Sequence, residues 1–90
     1  MRRQFARVPA APGHPGGFLM VDDEGSVEFR PWVARAEGGA AWATRADGAA
    51  TAQRLAGDRY GALDWHDVPD DEPDPVAWAS LRSAVFSAPR

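Results

Sequence analysis

The sequence contains 90 residues, carries a formal net charge of −3 and has no cysteine. The lack of cysteine excludes disulfide bonds and thiolate metal sites, and the small net charge argues against disorder. Leu, Val and Phe together supply only 15 residues, while Trp supplies four. We therefore expect residues 1–90 to form a single small domain of modest stability, with a thin core that the tryptophans supplement.

The composition also bears on source and location. Lys, Asn and Ile do not occur, and Ala, Gly, Arg and Pro supply half of the chain. This usage is typical of a GC-rich genome and favours a bacterium or its phage. Arg2, Arg3 and Arg7 are not followed by the apolar segment of a signal peptide, and no apolar run has the length of a membrane span. The expected location is the cytoplasm.

The first elements in chain order are strands. Gln4 to Val8 alternates as a strand with Phe5 pointing inward, whereas Pro9 to Gly17 is rich in proline and glycine and predicts a loop. Residues 1–17 are therefore expected to be partly irregular. Phe18–Val21 and Val27–Phe29 flank the acidic turn Asp22–Gly25, a pattern that predicts a β-hairpin.

The segment Pro31–Glu37 fits two structures. Its alternation continues a strand, yet proline at its start and Gly38-Gly39 after its end would also frame one or two helical turns. We favour the strand, followed by a glycine turn and by Ala41–Ala43 with Trp42 pointing inward.

The segment Thr44–Ala56 predicts the central helix. Thr44 and Asp47 have the spacing of a capping box, and Gly57 suits the residue after a helix. The expected inward face comprises Gly48, Ala49, Ala52, Leu55 and Ala56. We expect Trp42, Leu55, Leu63 and Trp65 to be mostly buried in mutual contact.

Beyond Gly57 the pattern predicts a strand and a second helix. Leu63 and Trp65 alternate with Asp64 and His66, as in a half-buried strand. Residues 69–73 form an acidic linker, and Asp74 followed by Pro75 predicts the start of a helix over 74–87. Trp78, Leu81 and Val85 form its apolar stripe. Together these elements predict an α+β fold, with a small antiparallel sheet, one helix packed on it and a C-terminal helix.

No set of residues predicts catalysis. His14 lies in the proline- and glycine-rich loop and is expected to be solvated. His66 shares a strand face with Asp64, but a closed metal site needs about four ligands, so we interpret His66 as a solvent-facing histidine. Gly13–Gly17 lacks the Gly-Lys-Ser/Thr ending of a phosphate loop. We expect no enzyme, no metal and no cofactor.

Two interpretations of function remain. From Asp58 to Pro75 the chain has seven acids and one arginine, which is either a solvated linker or a docking surface for a basic protein partner. The predicted partner-binding residues are Asp64, Asp67, Asp70, Asp71, Glu72 and Asp74. A small interaction module, such as an adaptor, a small subunit or an inhibitor, is the favoured reading. The alternative is a nucleic-acid-associated protein that uses Arg2, Arg3 and Arg7 with an exposed tryptophan.

Overall fold

The computed structural model describes residues 2–12, 16–32 and 42–87, with side chains described as far as residue 83. Five strands and two helices form along these ranges: β1 (Arg3–Val8), β2 (Gly17–Asp22), β3 (Ser26–Pro31), β4 (Trp42–Arg45), α1 (Ala49–Tyr60), β5 (His66–Val68) and α2 (Pro75–Ser87). The predicted α+β fold is confirmed.

The five strands form one antiparallel sheet in the order β4-β3-β2-β1-β5. Strands β1 to β4 follow one another as a meander, and the chain then crosses one face of the sheet as α1 before β5 pairs with β1. The first strand in the chain therefore lies inside the sheet.

Each face of the sheet carries one helix. On the α1 face, Leu19, Val21, Val27 and Phe29 pack against the fully buried Ala52 and Ala56 of the helix, together with Val8. Alanine is small enough to let a helix approach a sheet closely. The large side chains of this core therefore come from the strands.

The α2 face has its own apolar cluster. Phe5, Phe18, Met20 and Val68 are buried there against Ala79 of α2. The Phe5 ring meets the Trp78 ring edge-on, with centroids 5.6 Å apart, a favourable geometry for aromatic pairs. The predicted inward position of Phe5 is confirmed.

The predicted hairpin is confirmed as strands β2 and β3. Asp22 Oδ1 accepts hydrogen bonds from the backbone N–H groups of Glu24 and Ser26, each at 3.0 Å. Aspartate is common at this position of a turn because its carboxylate can accept backbone N–H groups of the same turn. Gly25 follows with φ of +100°, a conformation that favours glycine.

The predicted limits of the central helix were wrong. Thr44 lies in β4, opposite Val27 of β3, and does not cap a helix. The helix begins at Ala49 after Gly48 and continues through Gly57 to Tyr60. Gly61, with φ of +88°, ends it and donates its N–H to the Gly57 carbonyl at 2.8 Å. Strand pairing with β3 outweighed the local capping pattern.

The predicted inward face of this helix was also wrong at Leu55, which is 36% exposed. The buried residues of α1 are Ala52 and Ala56, and Ala49 and Tyr60 pack beside them. Leu55 flanks this narrow alanine stripe and lies outside the apolar cluster that packs on the sheet. Trp42, Leu63 and Trp65 are partly buried against the same core, and the predicted four-residue contact is therefore not formed through Leu55.

The segment after α1 also differs from expectation. Leu63 to Trp65 has no regular structure, and the strand begins only at His66. His66 pairs with Phe5, and their ring centroids lie 5.4 Å apart. The histidine was predicted to face solvent, and its side chain is 40% exposed. Its ring also packs against Phe5, because cross-strand partners share a face of the sheet.

The C-terminal helix begins as predicted. Pro75 is its first residue, and the Ala77 N–H donates to Asp74 Oδ1 at 3.1 Å, as in an N-cap. Its predicted stripe was wrong at Leu81, which is 71% exposed. Ala79 and Ser83, four residues apart, are fully buried instead. The Val85 side chain lies outside the described part.

Several predictions fall outside the described residues. These are the strand over most of Pro31–Glu37, the Gly38-Gly39 turn, Ala41 and the solvated His14. Pro31 itself closes β3. Among the described residues, no helix has the length and apolar character needed to cross a membrane.

Candidate functional site

Three acidic segments meet at one end of the sheet, which we call the acidic end. They are the turn 22–25, the loop 46–48 and the segment 67–74. Arg3 of β1 lies opposite both Asp22 of β2 and Val68 of β5, which brings the first and third segments together. The Ala46 N–H donates to the Gly25 carbonyl at 2.9 Å, which attaches the second.

Acids outnumber bases at this end. The arginines that lie here are Arg2, Arg3 and Arg45. The acids are Asp22, Asp23, Glu24, Asp47, Asp67, Asp70, Asp71, Glu72 and Asp74. The formal charge is therefore twice that of the whole chain, which is −3. Both helices begin at this end, and negative charge there is favoured by the positive end of a helix dipole.

The structure brings together five of the six predicted partner-binding residues: Asp67, Asp70, Asp71, Glu72 and Asp74. Asp64 lies apart from them. It borders a cavity of about 380 Å³ with Arg7 and Pro9, toward the opposite end of β1, and its Oδ2 lies 3.6 Å from His66 Nε2.

Several of these acids also serve the fold. Asp67 Oδ1 pairs with the Arg2 guanidinium at 3.1 Å. Asp74 caps α2, and Glu72 Oε1 accepts the Asp74 N–H at 3.3 Å. Asp70 and Asp71 are exposed and have no side-chain hydrogen bond or ion pair to a described residue. Within the segment 67–74, these two carboxylates are the ones most available to another molecule.

Gly25 fixes the approach of two acidic segments to each other. A Cβ added at this glycine would lie 2.3 Å from the Ala46 carbonyl oxygen and 2.8 Å from the Gly48 nitrogen. Both contacts are with backbone atoms, so any side chain would force the turn and the loop apart. The close approach of the turn 22–25 to the loop 46–48 thus depends on glycine at position 25.

A groove of about 450 Å³ opens at the acidic end, on the α2 face. Met20 and Ala43 line it from the sheet, and Val76 lines it from the first turn of α2. Four charged side chains also line it: Arg3, Asp22, Glu28 and Arg45. Their formal charges cancel, so the groove itself is neutral although the surface around it is acidic.

The opposite end of the sheet is built from rings, and we call Phe29, Trp42, Arg59 and Tyr60 the aromatic end. Tyr60 stacks on Phe29 at a centroid distance of 4.9 Å and meets Trp42 edge-on at 5.7 Å. The Arg59 guanidinium lies over the Trp42 and Tyr60 rings at 5.5 and 5.6 Å, a cation–π geometry. This tryptophan is thus engaged within the protein.

The structure separates the three N-terminal arginines on which the alternative function depends: Arg3 lies opposite Asp22 at the acidic end, whereas Arg7 lies opposite Phe18 toward the other end of β1. Arg2 lies at the acidic end, where it pairs with Asp67 and donates its backbone N–H to Asp23 Oδ2 at 3.4 Å. Trp42 lies at the aromatic end, beside Arg59 and away from Arg2 and Arg3. A strand of nucleic acid that approached Arg2 and Arg3 would meet nine carboxylates.

The acidic end presents carboxylates and guanidinium groups. Within the described ranges, no group of three His, Asp or Glu side chains is arranged to hold a metal ion. His66, the described histidine, lies against Phe5, and its Nε2 is 3.6 Å from Asp64. What the acidic end can do is attract cations and exclude anions.

Sequence reasoning identified the segment 67–74 but missed its two neighbours. Asp22–Glu24 was interpreted only as a turn, and Asp47 only as a capping acid. The predicted hairpin was the available signal, because it fixes which end of the sheet holds residues 22–25. The place of β5 beside β1 was the missing information, since it joins residues more than 60 positions apart.

No protein-family model matches this sequence, and neither the curated proteins nor the solved structures with which it was compared include a significant match.

Proposed function

We propose that the protein is a small non-enzymatic interaction module, an adaptor, small subunit or inhibitor, that docks a basic protein partner through its acidic end. The observation that carries the proposal is the convergence of three acidic segments from distant parts of the chain. A solvated linker would explain one acidic segment, but it does not explain why the loops at the same end are acidic too. The proposal places this activity in the cytoplasm.

The expected partner surface follows from the chemistry. Nine carboxylates with three arginines present a concentrated negative field, and such a field speeds the encounter with a positive surface. Asp70 and Asp71 contribute to that field without a described partner of their own. They should therefore act mainly on the association rate, with a strong dependence on salt.

The test compares two pairs of neutralised acids. Asp70→Asn with Asp71→Asn removes two charges at the acidic end. Asp58→Asn with Asp64→Asn removes two exposed charges elsewhere and is the matched control. Each protein is immobilised, exposed to extract of the source cell and analysed by mass spectrometry. Association kinetics are then measured with the purified captured protein at several salt concentrations.

We expect the acidic-end pair to slow association about three- to tenfold at low salt and to flatten its salt dependence. The control pair should leave both nearly unchanged. Equal association rates for the wild type and the acidic-end pair would contradict the proposal. So would a captured protein that contacts the aromatic end.

A further inference from the structure

The groove at the acidic end extends the proposed function, on which the following inference rests. We infer that it receives one large uncharged side chain of the basic partner, which acts as an anchor while arginine or lysine residues on either side contact the acidic surface. The partner segment is thus defined by its chemistry as an apolar or aromatic residue flanked by cations.

The size of the groove supports an anchor of this kind. Its volume is about 450 Å³, within the range of about 300–1,000 Å³ found for pockets that hold small ligands. It can therefore hold one aromatic side chain. Most of the binding energy of protein interfaces comes from a few such residues inserted into pockets.

The lining explains why the anchor should be uncharged. Met20, Ala43 and Val76 provide apolar surface on two sides of the groove. The two arginines and two acids that line it balance in charge, and both acids are already engaged. Glu28 Oε1 pairs with Arg30 at 3.0 Å, and Asp22 Oδ1 accepts two backbone N–H groups.

The surroundings explain why the flanking residues should be cationic. Glu24, which lies 3.8 Å from Arg45, and Asp74, two residues before Val76, lie close to the groove. Other exposed acids of the turn 22–25 and of the segment 67–74 lie at the same end of the sheet. A neutral groove within an acidic rim should therefore bind a basic segment that carries an apolar anchor more tightly than a segment that carries only cations.

The experiment uses two synthetic probes of equal charge. One is a peptide with a single tryptophan between two groups of four arginines, and the other has alanine in place of the tryptophan. Binding of each to the full chain is measured by fluorescence anisotropy at low salt. We expect the tryptophan peptide to bind about tenfold more tightly, as for one well-buried aromatic anchor.

Two variants locate the anchor. Ala43→Phe fills the groove from β4, where an aromatic residue suits a strand, and it should reduce the tryptophan advantage to less than about twofold. Ala50→Phe places the same side chain on the exposed surface of α1 and should keep the full advantage. Ala43→Leu repeats the test with a smaller side chain, and circular dichroism confirms the fold of each variant.

The outcomes separate the two hypotheses. If both peptides bind equally to the wild type, and Asp70→Asn with Asp71→Asn weakens both, the anchor is wrong and the docking function stands. If the tryptophan peptide still binds about tenfold more tightly than the alanine peptide to Ala43→Phe or Ala43→Leu, its tryptophan does not enter the groove and the inference is wrong. If neither peptide binds, the proposed function fails together with it.

Discussion

The aromatic end and the acidic end are held together by different interactions. At the aromatic end, the rings of Phe29, Trp42 and Tyr60 pack on one another beneath Arg59. At the acidic end, carboxylates such as Asp22 and Asp74 accept backbone N–H groups. Ring packing ties each residue to its neighbours, whereas backbone hydrogen bonds occupy only some of the acids. Some side chains of the acidic end therefore remain available for binding, whereas those of the aromatic end are engaged in packing.

The largest effect is expected at the aromatic end. Phe29 is buried and stacks on Tyr60, so Phe29→Ala should lower the free energy of unfolding by about 3–5 kcal/mol. Chemical denaturation measures this change. Leu81→Ala, at a side chain that is 71% exposed, is the control and should cost less than about 0.5 kcal/mol. If the two variants lost similar amounts of unfolding free energy, ring packing at the aromatic end would not stabilise the protein more than an exposed side chain does.

The next largest effect is expected at the cap of α2. Asp74→Ala removes the acceptor of the Ala77 N–H and should lower the free energy of unfolding by about 1 kcal/mol. Asp71→Ala removes a nearby acid without a described partner and should change it by less than about 0.5 kcal/mol. Thermal and chemical denaturation measure the stability of both variants and thus compare the capping acid Asp74 with the exposed acid Asp71. Equal effects would mean that the cap contributes nothing.

A smaller effect is expected at Leu55. If Leu55 were a core residue, its substitution by alanine would lower the free energy of unfolding by about 2–4 kcal/mol. Its position beside the alanine stripe, however, leaves it 36% exposed. Leu55→Ala should therefore lower the free energy of unfolding by no more than about 1 kcal/mol, because about a third of the residue is already exposed to solvent. Ala56→Gly, on the buried stripe, gives a comparison in the same helix. A loss above about 2 kcal/mol at Leu55 would show that the site is core after all.

The smallest effect on stability is expected for the free acids. Asp70→Asn with Asp71→Asn should shift the free energy of unfolding by less than about 0.5 kcal/mol, while it slows association with a basic partner. Stability and association rate thus change independently at this site. A large stability loss in this pair would show that the two carboxylates serve the fold, and the docking proposal would lose its most available residues.

The elements that follow from local chemistry were predictable. The hairpin around Asp22–Gly25 and the helix beginning at Pro75 depend on turn and cap residues within a few positions, and the sequence displays these directly. The first helix was misplaced because Thr44, Asp47 and Gly57 satisfy the same local rules. What excluded that solution was the pairing of Thr44 with Val27, which no local pattern reveals.

The candidate site shows the same limit. The acids of segment 67–74 were visible as a charge run, but their neighbours across the sheet were not. The separation of Asp64 from the others results from where β5 begins, and a shift of a few residues in that strand would change it. The groove could not be predicted at all, because it depends on the distance between α2 and β4.

The position of β1 has a consequence for incomplete chains. This first strand is flanked by β2 and by β5, so one of its edges stays open until residues 66–68 join the sheet. A chain lacking residues 66–87 would present that open edge next to Phe5, Phe18 and Met20, which α2 covers in the whole protein. Open strand edges beside apolar surface recruit strands from other chains. Truncation before His66 should therefore make the chain prone to aggregate during its synthesis.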